Sequence, residues 1–254
     1  MNAATELVEA AAALLAGDHP DALPGGPVLG LRWFPQGVPT PAHGHAGWGV
    51  VYVAEGADRY ELWEPAGHGQ AHLAEVRELR AGDAAWFECP PQDLHRQTGT
   101  GDQGAWELVI IGTDPHEASR VTYQPTIAAR LFDVLAGHDI AGLRALYQPD
   151  AVVDLHVPQW RYQLAGGAAI AAAIDEGYPS PVRFTTARTF GTGDWQALEV
   201  EARFSEDGEE RLFHQIDLLR LKSGLIAEHI VYCTGIWAAA TIRRHAAEAP
   251  MVRP

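Results

Sequence analysis

Residues 38–56 read VPTPAHGHAGWGVVYVAEG: a proline-punctuated lead-in, two histidines two residues apart, then a run of strand formers closed by Gly56. In an extended chain residues i and i+2 project from the same face, so His43 and His45 present both imidazoles to one point. Two neutral imidazoles are half of a binding site for Fe, Zn, Cu or Ni. The alternative is a pair of solvated histidines on an exposed strand, since twelve histidines occur in the chain. A third ligand from another strand would separate the two readings.

His95 is that candidate. It follows AGDAAWFECPPQDLH, residues 81–95, in which a Gly-Asp turn, a short strand and a Pro-Pro turn bring the chain back across a small barrel. The region around both segments, from about residue 28 to 113, is a series of brief Val-, Tyr-, Trp- and Leu-rich runs broken by Gly, Pro and Asp: PVLGLRWF, WGVVYVAEG, DRYELWEP, AHLAEVREL, DAAWFECP, DLHRQT and AWELVIIG. Such spacing predicts an all-β barrel or sandwich. His68 and His72 fall in the turn-like PAGHGQAH and read as solvated, and Cys89 beside the Pro-Pro turn reads as a small buried filler.

The two segments PAHGHAGWGVVYVAEG and GDAAWFECPPQDLHR resemble the two motifs of the cupin superfamily, and within it the cysteine-dioxygenase-like branch with three histidines on iron. The resemblance implies a double-stranded β-helix barrel, His43, His45 and His95 as metal ligands, Fe(II) as the metal with Zn, Ni or Mn as alternatives, and a small organic substrate together with O2. With Gly56 as the closing glycine of the first motif, the position of the usual cupin glutamate falls on Gly49, which leaves one face of the metal open. The branch also carries a Ser-x-His-x-Tyr motif on a late strand, where this chain has Glu107, Val109 and Ile111; only Arg32 precedes His43 as a counterpart of its carboxylate-binding arginine. Both departures argue against cysteine as the substrate.

After GTDPHEASRVTYQP the texture changes. Apolar residues recur at helical intervals over 126–146, interrupted by Gly137, and predict two helices joined by a turn. AVVDLHVP, a small helix at GGAAIAAAIDEGY, and three strand-rich runs follow, with SEDGEE and KSGL as hairpin turns. The fold class expected is therefore two domains, an all-β barrel followed by an α+β domain. The boundaries expected are an N-terminal helix and linker over 1–27, a barrel over 28–116, a linker over 117–124, the α+β domain over 125–240, and a tail over 241–254.

Residues 125–237 resemble the SnoaL-like, ketosteroid-isomerase-like group, in which a curved sheet wraps round helices to form a cone. The resemblance rests on LFDVLAGHDIAGLRALYQPDAVVDLHVP and FHQIDLLRLKSGLIAEHIVYCTGIW. It implies an Asp or His in the cone that takes a proton from a carbon next to a carbonyl. Asp154, His156 and His214 are the candidates, with Asp217 and His229 also among the polar residues of these strands; His214 and Asp217 lie on opposite faces of one strand. The same residues read equally well as structural ones in a dimerisation domain.

Composition narrows the partners. With 18 Lys+Arg against 33 Asp+Glu the net charge is −15, which repels a phosphate backbone or an anionic bilayer, and no basic patch is set apart. Nucleic acid and membrane are therefore not expected as partners. Residues 6–17, ELVEAAAALLAG, are too short to span a bilayer and read as an amphipathic helix. Two cysteines far apart suit a reducing cytoplasm. Exposed sheet surface in the second domain makes a homodimer the expected assembly.

Overall fold

The computed structural model describes residues 12–13, 28–45, 47–88, 93–112, 121–177, 182–191 and 193–249. Cys89, the Pro-Pro turn and most of the helix expected over 6–17 lie outside these. The chain divides into two compact units, residues 1–125 and 126–254. No helix among the described residues is long and apolar enough to cross a membrane.

Unit 1 is built from β1 (Val28–Phe34), β2 (Ala42–Gly44), β3 (Gly49–Gly67), β4 (Gln70–Arg80), β5 (Ala84–Phe87), β6 (His95–Gly99), β7 (Ala105–Ile111) and β8 (Val121–Pro125). Hydrogen-bonded neighbours run β1-β7-β3-β4-β8-β2-β6, and β6 pairs back onto β3, so β3, β4, β8, β2 and β6 form a closed circuit. β3 is one strand where the sequence predicts two. Its first half pairs with β5 and β7 and its second half with β4 and β6. Gly56 makes the transfer at φ 82°, a left-handed conformation open to glycine, where a Cβ would also overlap the Gly104 carbonyl. Inside, Val51, Val53, Tyr60, Leu79, Ala85 and Phe87 form the apolar core.

Residues 121–124 of the segment expected as a linker belong to a strand of this unit. Val121, Thr122 and Tyr123 of β8 stand across from Gly44, His43 and Ala42 of β2, and Gln70 and Ala71 of β4 pair with its far end. VTYQP finds backbone partners on the edges of two strands distant in sequence, in place of the water that would solvate a linker.

Unit 2 opens with α1 (Ile127–Ala136) and α2 (Ile140–Leu146), joined at Gly137 as the sequence predicts. Thr126 caps α1 by accepting from the Ala129 amide, Gln196 accepts from the Ala128 amide at 2.9 Å, and Asp139 caps α2 by accepting from Gly142 at 2.9 Å. There follow β9 (Tyr147–Val157), β10 (Trp160–Ala165), α3 (Gly167–Gly177), β11 (Arg183–Phe190), β12 (Trp195–Glu206), β13 (Glu209–Lys222), β14 (Leu225–Cys233), β15 (Trp237–Ala238) and α4 (Ala239–Glu248). The sheet order is β10-β9-β14-β13-β12-β11, with β9 and β14 parallel. Two hairpins turn on residue pairs at positive φ, Asp207-Gly208 and Ser223-Gly224, as SEDGEE and KSGL predict. Leu131, Phe132 and Leu135 of α1 bury one helix face, with Phe132 packed edge-on to Phe184 at 5.3 Å. Two features differ from expectation: Trp160–Ala165 pairs with β9 as its own strand, and the expected tail begins inside a helix.

Candidate functional site

In unit 1 the structure brings His43, His45 and His95 together. His43 on β2 stands directly across from His95 on β6, and His45 follows just past the end of β2. One ligand atom from each imidazole lies within 4.8 Å of the other two, and ring centroids are 4.6 to 5.1 Å apart. His43 and His95 are buried and His45 is partly so.

Two of the rings are oriented by the main chain. Nδ1 of His43 lies 2.8 Å from the Pro41 carbonyl oxygen and Nδ1 of His95 lies 2.9 Å from that of Asp93. A carbonyl can only accept, so each Nδ1 carries the proton and each Nε2 is left with a lone pair. Such backing is how metal-ligating histidines are held. The Asp93 side chain accepts from the His45 amide at 2.8 Å and so fixes the chain between the two histidines. Nε2 of His43 and His45 are 3.1 Å apart, close to the separation of about 3 Å for two nitrogens bound to one ion. The donor set therefore fits a divalent transition metal.

Gly49 is opposite Phe87 in β5 and Ile111 in β7. A Cβ at residue 49 would overlap the Phe87 ring and come within 2.8 Å of the Ile110 carbonyl oxygen. Phe87 stacks on His95 at 4.5 Å and on His45 at 5.4 Å. The place where a carboxylate ligand would start is thus filled by an aromatic wall.

Beyond the histidines, Tyr60 stacks on His95 at 5.5 Å. Glu107, which the sequence places on the late strand, is buried and accepts from Nε2 of Gln97. Arg32 is exposed. His68 lies exposed in the β3–β4 turn, and His72 pairs with Glu64 at 3.2 Å.

Unit 2 encloses a cavity of about 620 Å³, lined mainly by aliphatic side chains that include Leu131, Val153, Leu155, Ile170 and Val231. Asp217 and His229 supply its buried polar corner. Nε2 of His229 is 2.7 Å from Asp217 Oδ1, and Nδ1 is 2.7 Å from the Tyr147 hydroxyl. Burial pushes the Tyr147 phenol far up, so it stays protonated and donates to Nδ1; Nε2–H then donates to Asp217. Gln215 adds a second donor to Asp217, at 2.8 and 3.0 Å from its two oxygens. The result is a hydrogen-bond chain ending in a carboxylate on the cavity wall.

The three residues the sequence reading favoured stand elsewhere. Val153, Leu155 and Val157 of β9 line the cavity, so strand alternation turns Asp154 and His156 to the other face. There Arg161 pairs with Asp154 at 2.7 Å and holds its carboxyl down at about 2, which makes it a poor proton acceptor. His156 stacks on Tyr232 at 4.6 Å. Phe213, Gln215 and Asp217 likewise face the cavity, so His214 points away, 3.5 Å from Glu201. The signal available in the sequence was the apolar V-x-L-x-V alternation at 153–157, which assigns the inward face of β9 to the aliphatic residues.

Residues 128–229 match the family model of the SnoaL-like domain. No curated protein matches the chain. Solved structures similar to it include an NTF-2 like protein of unknown function from Burkholderia xenovorans, at 16% identity over 50% of this chain and 93% of that one, with a TM-score of 0.36. An NTF2-like protein from Mesorhizobium loti is 28% identical over 43% of this chain and 88% of that one, with a TM-score of 0.37. A protein with a cystatin-like fold from Xanthomonas campestris is 22% identical over 47% of this chain and 93% of that one, at a TM-score of 0.35. Unit 2 carries a SnoaL-like α+β domain.

Proposed function

We propose that the chain is a metal-dependent oxygenase whose reaction takes place at His43, His45 and His95 inside a cupin-type barrel, with Fe(II) as the metal and a small organic molecule and O2 as reactants. The observation that carries this reading is the convergence of three imidazoles, two of them with Nδ1 held by main-chain carbonyls. The closed circuit of β3, β4, β8, β2 and β6 supports the double-stranded β-helix.

Bound Fe(II) would supply a coordination face at which substrate and O2 meet, and Zn, Ni or Mn in the same ligands would act as a Lewis acid in a non-redox reaction. The chain's own residues set the conditions. Pro41 and Asp93 aim two Nε2 lone pairs at one point, and Phe87 keeps a protein carboxylate and water from the Gly49 side. Purified protein is expected to hold close to one iron per chain and to lose it in His43→Ala. Wild-type protein that consumes O2 with its substrate while free of metal would overturn the reading.

One observation favours a second activity. Asp217 ends a hydrogen-bonded chain on the wall of an apolar cavity, the arrangement of a general base for a carbon acid. Asp217 would take the proton next to the carbonyl of an apolar ketone and return it, while the His229 Nε2–H holds the carboxyl in place. Exchange of such a proton in D2O, followed by NMR with a chelator present, tests it; Asp217→Asn should slow the exchange by at least about 10²-fold.

A further inference from the structure

Unit 1 buries two carboxyl groups, Asp58 and Glu107, on the side of the barrel wall that carries His95. Both are fully buried. Asp58 lies on β3 two residues before Tyr60, the residue stacked on His95. Glu107 lies on β7 across from Val53 of β3. The Glu107 carboxyl is in hydrogen-bond contact with that of Asp58 and accepts from Gln97, which stands across from Tyr60 and two residues along β6 from His95.

Apart from the Thr98 amide, which approaches Asp58, and the contact between the two carboxyls, no donor among the described residues reaches the Asp58 oxygens or Oε1 of Glu107, and the Tyr60 hydroxyl is also without a partner. The surrounding cations are engaged elsewhere. Arg59, from the other face of β3, bonds Glu61 at 2.9 Å; Arg96 of β6 also bonds Glu61; Arg77 of β4 bonds Glu75 at 2.7 Å. Arg32, across from Glu107 on β1, is exposed. Two carboxyl groups in contact make a hydrogen bond only when one carries a proton, and without a cation nearby burial and mutual repulsion disfavour ionisation of both. Desolvation, followed by the neighbouring carboxyl, holds Asp58 well above the usual carboxylate range, and desolvation does the same for Glu107.

The histidine centre has the opposite imbalance. Three neutral imidazoles bring no negative charge, and Gly49 supplies no carboxylate. We propose that Asp58 and Glu107 are the counter-charge of the histidine centre, sharing one proton while the imidazoles are free and releasing it when a divalent cation binds them. The inference rests on the metal reading of those histidines. The O–H bond of the shared proton breaks, its electron pair stays on the carboxyl oxygen, and the proton leaves to buffer; no redox change is involved.

The test uses the full chain and Zn(II) as probe. Proton release per bound Zn(II) is read with a pH indicator in weak buffer at neutral pH, beside calorimetry, for wild type, Glu107→Gln and Asp58→Asn. Wild type should release about one proton more than either variant and bind Zn(II) about tenfold more tightly. An infrared difference spectrum of wild type should lose a protonated-carboxyl carbonyl band on Zn(II) addition, which needs no variant to fold. Equal proton counts, or an unchanged carbonyl band, with Zn(II) bound would overturn the counter-charge. Failure of wild type to bind Zn(II), Fe(II) or Ni(II) would instead overturn the metal reading beneath it.

Discussion

Histidine does opposite work in the two units. In unit 1 Nδ1 of His43 and of His95 is held by a main-chain carbonyl, and Nε2 of His43 faces that of His45 at 3.1 Å, so the three rings gather their ligand atoms at one place. In unit 2 both nitrogens of His229 are occupied, one by Tyr147 and one by Asp217. Imidazoles backed at Nδ1 by a carbonyl and grouped three together have the arrangement of a donor set, whereas one held between a hydroxyl and a carboxylate positions its neighbour. The difference lies in the hydrogen-bond partners and not in the residue type.

The largest effect expected from breaking this contrast is at His95. His95→Ala should weaken metal binding by more than about 100-fold, while His229→Ala leaves it unchanged, as equilibrium dialysis would show. Next comes Asp217→Asn, which should slow proton exchange of an apolar ketone about 10²- to 10⁴-fold with metal binding intact. Tyr147→Phe sharpens the comparison on the unit 2 side: it should cost about 1–2 kcal/mol in denaturant unfolding by leaving Nδ1 of His229 buried without a donor.

A pH titration separates the units by sign. Asp58 and Glu107 have folded-state pKa values raised above their unfolded ones. Below an unfolded pKa of about 4 both states hold the protons and the full stability is present; as pH rises the unfolded chain releases protons that the folded one keeps, and stability falls. Calorimetry should show the unit 1 transition dropping from about pH 4 up through the folded values of about 8 for Glu107 and about 9 for Asp58, at up to about 1.4 kcal/mol per pH unit per proton, with a flatter profile in Glu107→Gln. The smallest effect is at the surface. Arg161→Ala, which breaks an exposed ion pair to Asp154, should leave the unfolding midpoint close to that of the wild type.

How much was legible beforehand follows from which physical rule each feature obeys. The convergence of His43, His45 and His95 was readable because it needs only strand alternation and turns. The helices over 126–146 were readable from a 3.6-residue period bounded by Thr126 and Gly137. Asp154, His156 and His214 were preferred over Asp217 and His229 because polarity was weighed before the direction of the side chain. β8 was read as a linker because its partners, β2 and β4, are distant in sequence. The Asp58–Glu107 contact could not be seen at all, since it joins two strands whose register the sequence leaves open.

The long strand β3 bears on how this unit comes to be folded. All of its partners, β4, β5, β6 and β7, lie after it in the chain, and neither β1 nor β2 pairs with it. During synthesis the hairpin with β4 and then the pairing with β5 can form early, on one side only of the first half of β3. The first half of β3 waits for Ala105–Ile111 to emerge, holding an unpaired, valine-rich edge meanwhile. Pairing over such sequence distances is slow, so this edge is where a nascent or thermally opened chain is most exposed to self-association.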